Sequence, residues 1–321
     1  MEYRNGETSI KNGKSVDFLM GELENFQDIA RYIKPSPGEV PKINAIDIYG
    51  EAIPLNGIVG GDHIIYIDFN KRYDLDQRIR EAHKHNRPDI AEQLQLNKRR
   101  AGVMVADVSG HNITDALLGA MLHQAFLTGV QYELKHHGEV TAGLFEVLNT
   151  RFFNSSSVRK FITLIYGEIW DDGSFRFVNA GHPPPVVFSN KFDKLIKVCN
   201  DQIVNFPPIG TLPSRDDVDS SKLFSHLGYK KRYSIYKISL MGSGDILLLY
   251  TDGFSEHVTD EGVYYFPDRV EEILKRIKND SASDIYFQIK EDLLTFAKPA
   301  DDITFVVIKK GVAPPNTVEL S

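Results

Sequence analysis

Four acidic sites stand out in this chain because each carboxylate lies against a run of residues too apolar to be anything but buried. Asp62 ends Gly60–Gly61–Asp62, just before Ile64–Ile65–Tyr66–Ile67. Asp107 follows Ala101–Gly102–Val103–Met104–Val105–Ala106 and leads into Val108–Ser109–Gly110–His111. Asp252 closes Ile246–Leu247–Leu248–Leu249–Tyr250–Thr251, and Asp301–Asp302 open Ile303–Thr304–Phe305–Val306–Val307–Ile308. Carboxylates are rarely buried unless paired or metal-bound, and few bases stand near these. An Asp at a strand end can also simply cap the next helix, and that reading stays open for Asp107 taken alone. Together the sites favour convergence on divalent cations. An all-oxygen ligand set selects hard ions, Mg²⁺ or Mn²⁺, over zinc.

The elements that must position these residues are legible in the periodicity. Unbroken apolar runs of this length read as strands buried on both faces. After Asp107, the residues Ala116, Leu117, Ala120, Met121, Gln124 and Leu127 repeat mostly at three- and four-residue steps, as on a helix. Asp107 is therefore placed where a buried strand turns into a long helix. Strands are expected near 43–50, 63–69, 161–170, 174–180, 233–240, 245–251 and 303–309, with Asp172–Gly173 as a hairpin turn. Helices are expected near 113–132, 139–153, 268–279 and 283–297. Strand-rich blocks alternating with paired helices indicate α+β layers rather than a parallel βαβ sheet.

The bulk properties narrow the function classes. A chain of 321 residues with 42% hydrophobic and 25% charged residues has material for one large core or two modest ones. A formal net charge of -7 argues against nucleic acid as a partner. The single cysteine, Cys199, excludes an intrachain disulfide and a cysteine-rich zinc site. No apolar run approaches a membrane span and no signal-peptide profile opens the chain, so a cytoplasmic location is the expectation. No P-loop occurs, so ATP use is not suggested.

Three segments lie outside the strand–helix blocks. Val16, Leu19, Leu23, Phe26, Ala30 and Ile33 alternate steps of three and four, the spacing of a heptad helix. The run fits either an amphipathic helix docked on its own domain or a dimerisation or signal-input helix over residues 16–34. Pro35, Pro37 and Pro41 then make a stiff linker. Residues 71–100 form a charged insertion rich in Lys and Arg, read as a pair of short helices broken at Pro88. It is either a solvated excursion or a docking surface for an acidic or phosphorylated partner. Residues 201–232 make a second, polar excursion.

The order Gly60–Gly61–Asp62, then Asp107–Val108–Ser109–Gly110–His111, then Ala180–Gly181–His182–Pro183–Pro184–Pro185, then Leu247–Leu248–Leu249–Tyr250–Thr251–Asp252–Gly253, then Asp301–Asp302–Ile303–Thr304 resembles the PPM-type metal-dependent protein serine/threonine phosphatases, in the bacterial SpoIIE/RsbU branch. The resemblance covers roughly residues 40 to 310. It implies an αββα sandwich of two antiparallel sheets flanked by helices, with the short amphipathic helix ahead of it. The implied domains are 1–41 (end, helix and linker), 42–311 (phosphatase-like) and 312–321 (tail).

Carried over by position, the resemblance makes Asp62, Asp107 and Asp252 metal ligands and Val108 a backbone-carbonyl contact. Asp301 is favoured over Asp302 as the last ligand, with Asp302 orienting it. Two Mn²⁺ or Mg²⁺ ions would activate a water for in-line attack on phosphoserine or phosphothreonine. The branch acts on anti-sigma-factor antagonists (STAS-domain proteins) in partner-switching cascades, which makes such a phosphoprotein the expected partner. His111 is a candidate general acid. His182 is read as part of a rigid turn. Asn112 stands where the branch usually has Gly, and its side chain type tolerates positive φ. A scaffold with weak or no turnover is the alternative from another class.

Overall fold

The computed structural model describes residues 39–56, 60–110, 113–155, 160–198, 206–239 and 241–311, with scattered positions between 18 and 29. Two five-stranded sheets pair in antiparallel fashion throughout. The first runs β1 (Ile46–Ile53), β10 (Ile303–Lys310), β9 (Ile246–Tyr250), β6 (Val186–Ser189) and β7 (Lys194–Lys197). The second runs β2 (His63–Asp68), β3 (Arg100–Val108), β4 (Ile162–Trp170), β5 (Phe175–Ala180) and β8 (Tyr236–Ile238).

The apolar runs are unbroken because both faces of each strand are covered. In β3, Ala101, Val103 and Val105 join the layer between the sheets, while Met104, Ala106 and Val108 face helices. Those helices are α4 (Ile113–His136), through Leu122, Phe126, Val130 and Leu134, and α5 (Ala142–Ser155), through Leu144, Phe145 and Leu148. In β9, Leu247 and Leu249 face the inter-sheet layer, and Ile246, Leu248 and Tyr250 face outward. Their cover is α7 (Asp268–Ile277) and α8 (Ala282–Phe296), amphipathic helices that bury Val270, Ile273, Leu274, Ile285, Ile289 and Leu293. The αββα sandwich implied by the resemblance is the observed architecture.

Some boundaries shift for local reasons. The expected strand at 43–50 begins at Ile46, because a turn with Ala45 at φ 59° and an Ile43–Ile46 bridge precedes it. The expected strand at 233–240 is only β8, because the chain before it is held in irregular form. There Lys230 Nζ bonds both Glu146 carboxylate oxygens at 2.9 and 3.1 Å, and Tyr233 N donates to Glu146 Oε1 at 2.5 Å. β6 and β7, four residues each, were not expected, since they follow Pro183–Pro184–Pro185 and are too short to show alternation. The positions Val16, Leu19, Leu23, Phe26, Ala30 and Ile33 lie outside the described residues, as do His111, Asn112 and Cys199. Among the described residues, no helix is long and apolar enough to cross a membrane.

The charged insertion is a helical excursion from the β2–β3 hairpin. It contains α1 (Phe69–Arg72), α2 (Leu75–Lys84), α3 (Pro88–Leu96) and a 3-10 turn at Asn97–Arg99. Asp68 accepts from Lys71 N at 3.0 Å and Asp74 from Gln77 N at 2.8 Å, so each caps a helix. Pro88 opens α3, where its missing N–H is harmless. The return to the sheet is pinned by Arg100, a guanidinium 1% exposed and 3.0 Å from Glu168, whose own side chain is fully buried. Arg176 reaches the same carboxylate at 2.7 Å. Arg100 Nε donates to Asn97 Oδ1 at 2.6 Å, and Asn97 Nδ2 to the Gly138 carbonyl at 2.8 Å. Replacing Glu168 by Leu leaves the two guanidiniums only the more exposed Glu139 as counter-charge, and should cost about 3 kcal/mol. Urea denaturation measures it; a loss below about 1 kcal/mol would show the cluster to be expendable.

Candidate active site

The acidic residues gather at one end of the inter-sheet layer because strand parity sends them there. Ile64 and Tyr66 of β2, Val103 and Val105 of β3, and Val306 and Ile308 of β10 all face that layer. Asp62, Asp107 and Asp302 share their respective parities. Asp252 starts the single-turn helix α6 (Asp252–Ser255) directly after β9 and Thr251.

Asp302 holds this end together. Its Oδ1 accepts from Leu55 N at 2.6 Å and its Oδ2 from Gly61 N at 2.7 Å. Both bonds run from the first sheet's β10 to the chain segment that delivers Asp62. Gly61 O in turn accepts from Val108 N at 3.3 Å. The fit leaves no room for side chains: a Cβ on Gly60 would lie 2.2 Å from Asp302 Oδ2, and one on Gly61 2.4 Å from the Gly110 carbonyl oxygen. A Cβ on Gly253 would lie 2.0 Å from the Asp302 carbonyl. The glycines of the Gly–Gly–Asp and Asp–Gly motifs are therefore required by close approach of backbone. Thr251 adds a cross-sheet tie, its Oγ1 donating to Asp62 Oδ2 at 2.8 Å.

Asp301 is exposed, and its Oδ1 accepts from Asp302 N at 2.8 Å. Asp302 is only 4% exposed and committed to two amides. The two neighbours thus have different work: Asp302 fastens the turn, and Asp301 faces outward.

The carboxylates raise one another's pKa. Burial pushes Asp62 well above the usual carboxylate range, and Asp107 adds to the rise while the Thr251 hydroxyl offsets part of it. Burial, then Asp252, Asp301 and Asp302, push Asp107 up to about 7. Burial and Asp301 raise Asp252, against the opposing Gly253 amide. Such a cluster calls for positive charge. Among the described residues no three His, Cys, Asp or Glu side chains form a ready-made cage for one ion. The donor set fits hard divalent cations.

One support escaped the sequence reading, and the turn read for His182 is borne out. Lys160 Nζ donates to the Ser109 carbonyl at 2.6 Å and pairs with Asp115, 2% exposed, at 2.9 Å, bracing the turn after Asp107. A lysine next to a polar stretch carries no local signal of this. His182 is buried, with Nδ1 2.9 Å from Thr163 Oγ1, and Thr163 lies opposite Asp107 across β3 and β4. Burial lowers its pKa to about 3, so the imidazole is neutral and belongs to the turn that Asn179 also closes, through Nδ2 to the His182 carbonyl at 2.9 Å.

A family model described as Stage II sporulation protein E (SpoIIE) matches residues 97–311. Asp62 lies ahead of that span, so its place in the site rests on the geometry. Among curated proteins, the chain is 29% identical over 167 residues to phosphoserine phosphatase RsbP of Bacillus subtilis (strain 168), covering 51% of this chain and 36% of that one. It is 24% identical over 223 residues to phosphoserine phosphatase RsbU of the same organism, covering 67% and 57%. The matches thus span less than two thirds of either relative's length. The SiaA-PP2C domain of Pseudomonas aeruginosa has the same fold, with a TM-score of 0.60 over 92% of this chain and 98% of that one at 14% identity.

Two outcomes follow from this geometry. Asp302→Ala strips two amides of their acceptor and should cost about 2–3 kcal/mol in urea denaturation, whereas Asp301→Ala strips only the Asp302 amide at an exposed side chain and should cost about 1 kcal/mol or less. Equal losses would refute the division of labour. Second, native Asp107 keeps its proton to higher pH than the unfolded chain does, so the native state binds more protons. In chelator, stability should therefore fall as pH rises from near 4 to about 7. The slope of urea midpoints against pH measures this, and Asp107→Asn should flatten it.

Proposed function

Since the chain belongs to the SpoIIE family, we propose that it is a metal-dependent protein phosphatase acting on phosphoserine or phosphothreonine. The observation that carries this reading is the convergence of mutually destabilising carboxylates, Asp62, Asp107, Asp252 and Asp301, at one end of the sandwich. The family generally uses divalent metals. In this reading those four side chains, with the Val108 carbonyl, hold two Mg²⁺ or Mn²⁺ ions, and Asp302 orients them by fixing the Gly60–Gly61–Asp62 turn. When bound, such ions lower the pKa of a water and offset charge on the phosphoryl oxygens.

The chain's own residues supply placement and charge. Burial at the end of the inter-sheet layer strengthens every electrostatic contact with a phosphoryl group there. Thr251 and Lys160 keep the Asp62 and Asp107 turns in register. His111, four residues beyond Asp107, is the candidate to protonate the leaving serine oxygen.

The names of RsbP and RsbU as phosphoserine phosphatases support a phosphorylated protein substrate, and the branch points to a STAS-type antagonist. Residues 42–311 form the phosphatase domain in this proposal, and residues 16–34 are the candidate dimerisation helix.

The deciding measurement is phosphate release from p-nitrophenyl phosphate with and without Mn²⁺, for the wild type and Asp107→Asn. Turnover should require the metal and fall by roughly two orders of magnitude in the variant, the several kcal/mol that metal charge stabilisation supplies. Absence of both turnover and calorimetric Mn²⁺ binding in the wild type would leave the scaffold alternative standing.

A further inference from the structure

The insertion and the long helix enclose a second site, remote in sequence from the aspartates. Between α2, α3 and the last turn of α4 lies a cavity of about 540 Å³, within the size range of small-molecule sites. Its floor is apolar: Ala82, Ile90, Leu94 and Leu134. All four are buried, at most 8% exposed in all, so the floor is the outer skin of the core under the second sheet. Its rim is cationic. Arg78, Arg87 and Lys135 line it with the imidazoles of His85 and His136, against one carboxylate, Glu81. Glu81 is itself 3.6 Å from His85 Nε2. In a chain of net charge -7 this concentration of positive groups is local.

The backbone around the cavity reinforces that polarity. The negative end of α4 is already covered, because Arg87 Nη2 donates to the His136 carbonyl at 2.7 Å. The N-terminus of α3, whose first turn contributes Arg87 and Ile90 to the lining, has no capping side chain. α2 rests on α3 rather than on α4. A second hollow of about 590 Å³ shares Gln77 and Arg78 and continues along α4 past Gln131, Thr128, Leu127 and Gln124.

We propose that this cavity is a binding site for a small amphipathic anion, one with an apolar body and a carboxylate, sulfonate or phosphate group. The body would occupy the floor of Ala82, Ile90, Leu94 and Leu134, and the anionic group would meet Arg78, Arg87 and Lys135. A neutral apolar molecule would gain the floor and leave the cations unanswered. An inorganic anion would gain the cations without the floor. The two surfaces together select a molecule that carries both.

The test uses the full chain and 1-anilinonaphthalene-8-sulfonate as probe, with N-phenyl-1-naphthylamine as its uncharged analogue. Calorimetric titration should show one equivalent of the sulfonate bound, about tenfold or more tighter than the neutral analogue. The double variant Arg78→Gln/Lys135→Gln should weaken the sulfonate by about tenfold or more, and Glu81→Gln should tighten it about two- to threefold. Thermal melts and Mn²⁺-dependent turnover unchanged in these surface variants would show that fold and acidic cluster are intact. Binding that ignores both substitutions, binding of several equivalents, or no binding would overturn the proposal. Sedimentation with phosphatidylglycerol vesicles that depends on Arg78 and Lys135 would also overturn it, assigning these cations to a membrane face.

Discussion

The hydrogen bonds that two amides donate to one carboxylate organise the acidic end of this molecule. Asp302 stands at the mouth of β10, in the first sheet, and holds Leu55 N and Gly61 N on the approach to β2, in the second. Bonds from backbone N–H to a buried carboxylate are charge-assisted and stronger than neutral ones. They fix the separation of the two sheets at the end where Asp62 must meet Asp107. Everything near that point is built to allow the approach. Gly60, Gly61 and Gly253 lack side chains where any Cβ would collide, and the Thr251 hydroxyl bridges the same gap. Remove that fastening and the strands remain, but the acidic residues lose their common address.

Holding those residues together is unfavourable in itself. Burial and mutual repulsion raise Asp62, Asp107 and Asp252, so the fold concentrates charge that the chain alone does not neutralise. The neighbouring cation Lys160 is spent on the Ser109 carbonyl and on Asp115. The rest of the sandwich, with apolar layers on both faces of each central strand, provides the stability against which this local cost is set. In the proposed function, affinity for divalent cations and the repulsion among these carboxylates are one property seen from two sides.

Much of this was legible in the residues. Asp107 and Asp252 announce themselves because a carboxylate interrupts an otherwise apolar run, and the run is apolar because both faces of β3 and β9 are covered. The α4 and α5 helices and the β4–β5 hairpin follow from period and turn residues close in sequence. What escaped depends on contacts distant in sequence or on elements too short to have a period. The different duties of Asp301 and Asp302, which only the resemblance implied, cannot be told from two adjacent identical letters alone. They follow from partners 241 and 247 residues away. Lys160 bracing Ser109 spans 51 residues. β6 and β7 are four-residue strands stabilised by neighbours in the sheet rather than by their own pattern. Lys230 and Glu146, 84 residues apart, replace the strand expected before β8 with an irregular anchored loop.

The β2–β3 hairpin carries its helical insertion at a point where the two strands are already paired, Asp68 opposite Ala101. The chain leaves and re-enters the sheet through adjacent positions, so residues 69–99 alter neither the register of β2 nor that of β3. Loop-closure entropy rises only by about 0.6 kcal/mol per doubling of length, so the excursion weighs little on folding. The hairpin is therefore a port: a place where lineages can exchange whole helical modules, and where a designer can graft one, while the acidic end of the same two strands stays as it was.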